Sequence, residues 1–583
     1  QLMSMLLAFV SKGDADSSTG KIRGKAFECI SLLGYSVGKE RFAPAAQQTM
    51  AAILSVQQVQ DDVQTDCIRD ALERMCKIMG NDFAPFLPTL LPGILASMSL
   101  ENAVSSGAEH DQDLGDELTI PTEDGFLKLK TGQIQEILAV VSLLTVLIKE
   151  TGPSFFDYVR PTAETLNRIL GCTDPVLNLA SSVRDAVYPC WAELVGAVSK
   201  AAVTRGPEAS TLAVDLVQRF VDKVAADLVK AEDADDIAPM ANGIASVVCN
   251  AGAGCIQPAQ VQAISDVAVS EILKSFQREQ ALEAANPQQH AAEENDEDDD
   301  EVVGDVMGKS EEEEEQECRK GLCAIWGACM KANPEVFISH SWPRLQALMQ
   351  EWLGPKKGLG RILALHVAGD LCEHLGESAV AVWPVFMDAV LESVCVEDAE
   401  VRNAAAFAMI LAVQSPSFGP QYGNRAYVAL ATSLQSFKPK KNDEDAQRAM
   451  DNVVAALVHL CLCHAAQSPD LDGCWQTIFA KLPLKTDLEE GRKLHRRLFL
   501  EAQHPNGGSL GSMARVAQVL GYMCEIYGRS EHCDEALQRD VALAFASLPQ
   551  TTLEALSSQI APKQQKKMQR VLQDGKVLVA SGS

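Results

Sequence analysis

The sequence is poor in aromatic residues and in basic residues. Aromatic side chains make up 5% of the 583 residues, whereas the hydrophobic fraction is 47% and is carried mainly by small and aliphatic residues. Because β-rich folds are enriched in aromatic and β-branched residues, this composition favours helices. The formal net charge is −29, so the basic footprint that a nucleic-acid binder requires is missing. We therefore expect no direct nucleic-acid contact and a preference for basic partners.

Long hydrophobic runs are also missing. The longest, "ILAVVSLLTVLI" (Ile137–Ile148), is shorter than the roughly 20 residues of a membrane-spanning helix. The opening run "LMSMLLAFV" lacks the basic leader and cleavage signal of a signal peptide. We expect a soluble protein with no membrane partner, and we interpret the start at Gln1 as the edge of a larger protein. The 17 cysteines lie singly in apolar helical patterns, which favours buried thiols in a reducing compartment over disulfides.

Motifs of catalysis are absent from the sequence. There is no GxxxxGK[ST] phosphate loop, no GxGxxG after a strand, no HExxH and no GxSxG. The nearest metal-like cluster, "CLCH" at Cys461, Cys463 and His464, places its two thiols on different sides of a predicted helix, so core packing is the favoured interpretation. We expect no enzyme activity, no cofactor and no metal site.

Proline recurs in a regular context. A Gly or Asn suited to a helix C-cap is followed by an apolar residue and then by a proline that opens a second apolar helix. The four cases are Gly80 with Pro88, Gly152 with Pro161, Asn333 with Pro343, and Gly376 with Pro384. Since proline fits the first turn of a helix, these residues mark helix entries rather than interruptions.

A second pattern recurs in the helix that precedes each cap. "IRDALERMCKIMG" at Ile68 and "VRNAAAFAMILAV" at Val401 both begin with a β-branched residue followed by Arg, and Arg361, Arg402 and Arg448 are spaced by 41 and 46 residues. Two helices per 40–47 residues is the signature of HEAT repeats. The sequence therefore predicts an all-α, right-handed α-α superhelix, a HEAT-repeat solenoid, with an Asp such as Asp398 capping the second helix of a unit.

Two acidic segments break the period. We predict HEAT repeats over 1–100, 133–283 and 318–583, with the last helices forming a terminal cap. An acidic inserted loop is predicted over 101–132, and an acidic, disordered loop over 284–317. Residues 293–317 hold 15 acidic residues and one lysine. Such a run is either a solvated loop without a ligand or a polyanion that attracts basic partners.

Carboxylates recur along the predicted second helices, whose polar faces stack into one surface in a solenoid. Such rows are either solvated helix faces or a binding surface for a Lys/Arg-rich peptide. The candidate cargo-binding residues are Asp62, Asp66, Asp70, Glu73, Asp185, Asp370, Glu373, Glu444, Asp445 and Asp451.

Several stretches, in order, resemble the importin-β family of nuclear transport receptors, the karyopherins. They include "KIRGKAFECISLLGYSVGKERF", "ERMCKIMGNDFAPFLPTLLPGIL", "SSVRDAVYPCWAELV" and "EDAEVRNAAAFAMILAV", together with both acidic insertions. The resemblance implies a flexible HEAT superhelix without enzymatic activity. It also implies a shuttling protein of cytoplasm and nucleus that binds basic cargo, touches Phe-Gly nucleoporins and releases cargo to RanGTP.

The resemblance further implies that the chain corresponds to a carboxy-terminal portion, without the amino-terminal repeats that carry the main Ran-binding surface. Ribosomal proteins and histones are the cargo it suggests. A HEAT scaffold such as a phosphatase regulatory subunit is the alternative, because it shares the Val-Arg units but need not carry both acidic insertions.

Overall fold

The computed structural model describes residues 2–11, 17–56, 62–98, 104–107, 117–122, 125–171, 181–285, 310–354 and 359–580. It divides into two compact units, unit 1 over Gln1–Ser341 and unit 2 over Trp342–Ser583. Helices dominate both units, which confirms the all-α HEAT class.

The helices of unit 1 are α1 (Leu2–Val10), α2 (Ser17–Val37), α3 (Lys39–Val56), α4 (Asp62–Met79), α5 (Leu87–Ser97), α6 (Thr131–Thr151), α7 (Val159–Leu170), α8 (Ser181–Arg205), α9 (Pro207–Leu228), α10 (Ala234–Ala251), α11 (Pro258–Ala285) and α12 (Glu311–Ala332). The helices of unit 2 are α13 (Trp342–Trp352), α14 (Leu359–Leu375), α15 (Met387–Ser393), α16 (Ala399–Ala412), α17 (Asn424–Ser436), α18 (Glu444–Cys463), α19 (Leu471–Lys481), α20 (Leu488–Gln503), α21 (Met513–Ile526), α22 (Glu535–Ser547), α23 (Gln550–Gln559) and α24 (Pro562–Ala580).

In each unit, consecutive even-numbered helices pack against one another. In unit 1, α2, α4, α6, α8, α10 and α12 each pack on the next, and in unit 2 the same holds for α14, α16, α18 and α20. We call these helices the second-helix row, because each follows the odd-numbered first helix of its pair. The four last helices pack differently, with α24 against both α21 and α22.

The predicted punctuation is present at the helix junctions. Gly80, Gly152 and Gly376 have φ of +57°, +49° and +53°, the left-handed values that end a helix and favour glycine. Asn333 differs, because its φ is −152° and its side chain accepts a hydrogen bond from the Val336 amide at 3.4 Å. Pro88 lies in the first turn of α5, as predicted. Asp398 caps α16 by accepting from the Val401 amide at 2.9 Å.

The segment predicted as the first acidic loop contains a small sheet. Strands β1 (Val104–Gly107), β2 (Glu117–Thr122) and β3 (Gly125–Lys130) form an antiparallel sheet in the order β1-β3-β2, with Leu118 opposite Leu129. In the sequence, apolar and polar residues alternate through "ELTIPT" and "FLKLK" around "EDG", which is the pattern of a hairpin. The insertion lies between α5 and α6, but a loop without strands was the wrong description of it.

The second acidic segment also needs a correction. Residues 286–309, which include most of the acidic run, lie outside the described residues, whereas Glu311–Glu317 form the first turns of α12. Ser310 and Glu313 form a capping box, and glutamates in the first turn favour the positive end of the helix dipole. The predicted boundary at 317 was therefore wrong by about two helical turns, because local capping outweighs the charge repulsion there.

One stretch, Gly132–Leu170, is long and apolar enough by length and composition to cross a membrane. In the structure, a 3₁₀ turn at Gly152–Tyr158 divides it into α6 and α7. Val141 and Leu144 are fully buried in unit 1. The stretch thus supplies core residues of unit 1. Trp191, Trp326 and Trp383 are also buried in the core.

Candidate cation-binding surface

All ten predicted carboxylates belong to the second-helix row, on α4, α8, α14 and α18. In unit 1 α6 lies between α4 and α8, and in unit 2 α16 lies between α14 and α18, so the carboxylates form separate groups. The groups differ in the partners that the fold gives them: the described acids of α4 and α18 have partners within the protein.

The carboxylates of α4 are paired with cations of the same helix. Asp66 lies 3.1 Å from Arg69, Asp70 lies 3.1 Å from Arg74, and Glu73 lies 2.6 Å from Lys77. The sequence already indicates these pairs, since the partners are three or four residues apart. The side chain of Asp62 lies outside the described residues. An incoming cation must therefore compete with one already present.

The carboxylates of α18 are also engaged. Arg448 lies 3.4 Å from Glu444 and 3.5 Å from Asp445, in an exposed cluster. Asp451 has a structural role, because its Oδ2 accepts hydrogen bonds from the backbone amides of residues 485, 486 and 487 at 2.8, 2.7 and 3.1 Å. Burial raises the pKa of Asp451, and those three amides oppose the shift. The side chain thus holds the turn that leads into α20.

Asp185 on α8 lies in a different environment. Burial, together with the neighbouring Asp236, raises its pKa to about 6, although Arg184 opposes the shift. Burial and Asp235 also raise the pKa of Asp236, in the first turn of α10. Within the described residues, Asp185 has no salt bridge. The fold therefore leaves this carboxylate incompletely compensated.

Three acidic residues near Asp185 were not among the candidates of the sequence analysis. Carboxylate oxygens of Asp233, Asp235 and Asp236 lie within 4.8 Å of one another. Together with Asp185 they form what we call the α8–α10 acidic cluster. The run "DADD" (233–236), which spans the start of α10, was the available signal, but acidic residues in this position are equally typical of an ordinary helix start. Oxygen groups of this kind suit ammonium or guanidinium groups as well as hard metal cations.

Asp370 and Glu373 form a second incompletely compensated group, which we call the α14 acid pair. Burial, reinforced by Glu373, raises the pKa of Asp370 to about 7. Neither carboxylate has a salt bridge among the described residues. α14 packs against α16 near this residue: a Cβ built on the neighbouring Gly369 would lie 3.4 Å from the Leu411 side chain on α16, an ordinary contact distance.

A polar ladder in unit 2 also escaped the sequence analysis. The Asn452 amide donates to Asn403 at 2.7 Å and to Asp487 at 3.1 Å, which links α16, α18 and the cap of α20. Arg497 donates to Gln414 at 2.7 Å and lies 3.2 Å from a ring nitrogen of His459. These partners are 35 to 83 residues apart, so no local pattern announces them. The ladder thus links the second helices α16, α18 and α20.

The electrostatic arrangement suits binding rather than chemistry. A carboxylate that is partly withdrawn from water and lacks a cation gains most from a positively charged ligand. Asp370 of the α14 acid pair and Asp185 of the α8–α10 acidic cluster meet that condition, whereas the paired carboxylates of α4 and α18 do not.

Comparison with known proteins gives a consistent picture of the fold. No family model matches the chain. The chain is 22% identical over 501 residues to importin subunit beta-3 of Saccharomyces cerevisiae, a match that covers 84% of the chain and 43% of that protein. It is 32% identical over 100 residues to a probable importin-5 homolog of Dictyostelium discoideum, which covers 17% of the chain and 9% of the homolog.

Solved structures of Kap121p share the fold. One of Kap121p itself aligns with a TM-score of 0.64 at 19% identity and covers 98% of the chain and 49% of Kap121p. A structure of Kap121p bound to RanGTP aligns with a TM-score of 0.64 at 18% identity, over 98% of the chain and 50% of Kap121p. The chain therefore spans about half the length of these proteins or less.

Proposed function

We propose that this chain, which is similar to the karyopherin-type importins, forms part of a nuclear import receptor that binds basic cargo. The observation that carries the proposal is the α14 acid pair, in which Asp370 is partly buried, Glu373 is exposed, and neither has a salt bridge among the described residues. The α8–α10 acidic cluster supports it as a second contact in unit 1.

Burial gives these carboxylates their affinity for cations. The charged form of Asp370 is disfavoured in the free protein because burial raises its pKa to about 7. A lysine or arginine side chain that binds there restores the charged form and forms charge-assisted hydrogen bonds. The same ligand gains less at Asp70, which already has Arg74 at 3.1 Å.

The ten candidate residues therefore divide into three groups. Asp185, Asp370 and Glu373 are the proposed primary contacts. Asp66, Asp70, Glu73, Glu444 and Asp445 are proposed to contribute only by exchanging their present partners for a cation of the cargo, and Asp62 is proposed as part of the same α4 row. Asp451 is proposed to support the turn before α20 rather than to touch cargo.

The complexes in which the similar protein Kap121p has been solved support a transport role. Kap121p has been solved bound to Ste12p, to Pho4p and to RanGTP. By analogy, we propose that this chain acts within a protein that shuttles between cytoplasm and nucleus and touches Phe-Gly nucleoporins. Ribosomal proteins and histones are the proposed cargo classes, and repeats outside this chain are proposed to supply the main RanGTP contact. Homologues that are transport receptors also favour a non-enzymatic protein.

The test is binding of a fluorescent Lys/Arg-rich peptide to the whole chain, measured by anisotropy. The double variant Asp370→Asn/Glu373→Gln should bind roughly tenfold more weakly. It removes two carboxylates that have no salt bridge within the protein and are therefore available to a cation of the peptide. The matched control, Glu444→Gln/Asp445→Asn, changes the net charge equally but removes acids already paired with Arg448. It should change affinity less than about twofold.

Salt provides the second arm of the test. Affinity should fall as ionic strength rises, since screening weakens contacts between charges. Equal losses in the two double variants would contradict the assignment of the α14 acid pair and indicate attraction by net charge alone. Affinity that is independent of salt would contradict binding by charge altogether.

A further inference from the structure

Basic residues are concentrated on one helix of this acidic protein. α24 has five basic residues and a single acid, Asp574, although the formal net charge of the whole chain is −29. The basic residues are Lys563, Lys566, Lys567, Arg570 and Lys576. Acidic residues are the ones that the helix dipole stabilises in the first turns, so the dipole gives no reason for three lysines at the start of α24.

Part of this charge lies where α24 packs against the end of α21. The Lys563 ammonium lies 2.9 Å from the Glu525 carboxylate, and Lys567 donates a hydrogen bond to the Glu525 carbonyl at 2.6 Å. Gly528 has a left-handed φ of +77°, and a Cβ there would lie 3.5 Å from the Arg570 guanidinium. The next residue completes what we call the α21–α24 basic patch, which consists of Arg529, Lys563, Lys567 and Arg570.

The patch holds positive charge that the protein does not fully compensate. Glu525 is engaged by Lys563, whereas Arg529 is exposed and has no salt bridge within the described part of the chain. Burial and the neighbouring Arg529 lower the pKa of Lys567, although Glu525 opposes the shift. Lys563 adds to the lowering. A cation that is crowded by other cations gains from an incoming carboxylate.

The patch is also accessible to a partner. The side chains of Lys563 and Arg570 are 68% and 71% exposed. Asp574 lies 3.9 Å from Arg570, but it also accepts a hydrogen bond from the Tyr527 hydroxyl at 3.1 Å. Because a guanidinium has five N–H donors, Arg570 keeps donors that a carboxylate of a partner can reach.

A cavity of about 250 Å³ adjoins the patch. It lies between α19, α21 and the junction of α23 with α24, where Phe479 and Ile560 line it together with Gln518 and Gln564. Glu525 joins the two features, since it lines the cavity and its carboxylate pairs with Lys563. The volume is below the roughly 300–1,000 Å³ of a small-molecule site, so it suits a single side chain.

The lining indicates which kind of anion fits. Glutamine amides both donate and accept hydrogen bonds, as a peptide backbone requires, and the apolar walls can receive a side chain. A chain of phosphate groups uses only the charge. The cavity and the patch together therefore favour a peptide over a nucleic acid.

We propose that the α21–α24 basic patch binds an acidic peptide segment of a partner protein, with one side chain of that segment in the adjoining cavity. Its carboxylates would accept charge-assisted hydrogen bonds from Arg529 and Arg570. The patch has the opposite charge to the α14 acid pair and lies on other helices, so the proposal does not rest on cargo binding. Since the chain as a whole repels an acidic peptide, the attraction must be local to the patch.

The test is binding of a fluorescent peptide of alternating glutamate and leucine to the whole chain, measured by anisotropy. The double variant Arg529→Gln/Arg570→Gln should bind roughly tenfold more weakly. The matched control is Arg219→Gln/Arg425→Gln. It changes the net charge equally but removes exposed arginines that are paired with Asp215 at 2.9 Å and Asp388 at 2.8 Å. The control should change affinity less than about twofold.

A second peptide tests the cavity. Alternating glutamate and serine keeps the charge and removes the apolar side chains, so this peptide should bind more weakly to the wild type than the leucine peptide does. Equal affinities would overturn the assignment of the cavity. Binding of the Lys/Arg-rich cargo peptide should not weaken in Arg529→Gln/Arg570→Gln, which keeps this test separate from that of the proposed function.

The other anionic partners are arms of the same experiment. The probes are oligothymidylate and vesicles that contain phosphatidylserine. If either bound more tightly than the acidic peptides and lost its affinity in Arg529→Gln/Arg570→Gln, the patch would be a phosphate site and the proposal would be overturned. Equal losses of peptide affinity in the two double variants, or no peptide binding at low salt, would overturn it as well.

Discussion

Glu315 in unit 1 and Asp370 in unit 2 are both acids withdrawn from water on second helices, yet the fold treats them in opposite ways. Glu315 is 4% exposed and accepts hydrogen bonds from Ser275 at 2.6 Å and from the Arg278 guanidinium at 3.1 Å, both on α11. Among the described residues no salt bridge involves Asp370; its neighbour Glu373 carries the same charge, and burial together with Glu373 raises its pKa to about 7. A buried carboxylate is thus a structural element when the fold supplies its cation and a candidate binding site when it does not.

Removing Arg278, the cation paired with Glu315, should leave Glu315 without a salt bridge, as Asp370 is. Arg278→Met leaves Glu315 buried without a cation, and breaking such a pair from one side should lower the free energy of unfolding by about 3 kcal/mol. Urea denaturation of the whole chain measures the change. Arg219→Met, which breaks the exposed pair with Asp215 at 2.9 Å, is the control and should cost at most about 0.5 kcal/mol. Equal losses would remove the distinction between buried and exposed pairs.

Asp451 tests whether backbone amides can replace a cation as partners. Asp451→Ala leaves the amides of residues 485 to 487 without their acceptor, so the free energy of unfolding should fall by about 2 kcal/mol. Asp451→Asn keeps an acceptor oxygen and should lose clearly less. Chemical denaturation of both variants decides the matter, and an alanine variant as stable as the wild type would show that the carboxylate does not hold the turn.

Asp370 should respond with the opposite sign. Since burial raises its pKa in the folded state from 3.8 to about 7, the folded chain binds this proton more tightly than the unfolded chain does. The resulting cost is absent below the unfolded pKa and complete above the folded one. Asp370→Asn should therefore raise the free energy of unfolding at pH 8, by at least about 1 kcal/mol once solvent screening has reduced the roughly 4 kcal/mol that the full pKa shift implies, and leave it unchanged near pH 4.

Denaturation curves at the two pH values measure that difference. A variant that is less stable than the wild type at pH 8 would show that Asp370 has an internal partner, and the comparison with Glu315 would fail.

The smallest effect is expected at an exposed, paired acid. Asp70→Asn removes one member of the α4 pair with Arg74, whose side chains are 55% and 29% exposed. The free energy of unfolding should change by at most about 0.5 kcal/mol. Peptide affinity, measured by anisotropy, should change less than about twofold. A large loss of affinity would move the binding surface from α14 to α4.

The regular part of the fold follows from local signals in the sequence. Gly80 and Pro88 mark a helix end and a helix start by their own backbone preferences, and Asp398 caps the helix that follows it, so neighbouring residues suffice to predict these features. Ser310 and Glu313 carry an equally local capping signal. That signal was masked by the acidic run around it, which favours disorder when composition alone is weighed.

The candidate site depends on contacts that no local pattern contains. The pairing of Asp70 with Arg74 is visible in the sequence, because the residues are four apart. The amides that engage Asp451 come from residues 34 to 36 positions away. Likewise, the burial that raises the pKa of Asp370 comes from the packing of the fold around α14, which contacts α16. Sequence analysis therefore placed the candidate acids on second helices, where the structure also has them. It could not separate the acids that have a partner within the fold from those that have none.

The most direct test is the proton released when a Lys/Arg-rich peptide binds the whole chain at pH 7. Calorimetric titration in buffers of different ionisation enthalpy measures it. A cation beside Asp370 must lower its pKa, so binding should release roughly half a proton per peptide from this residue, and the release should fall in Asp370→Asn. Binding without proton release, or release that is unchanged in Asp370→Asn, would contradict the claim that this buried carboxylate receives the cation.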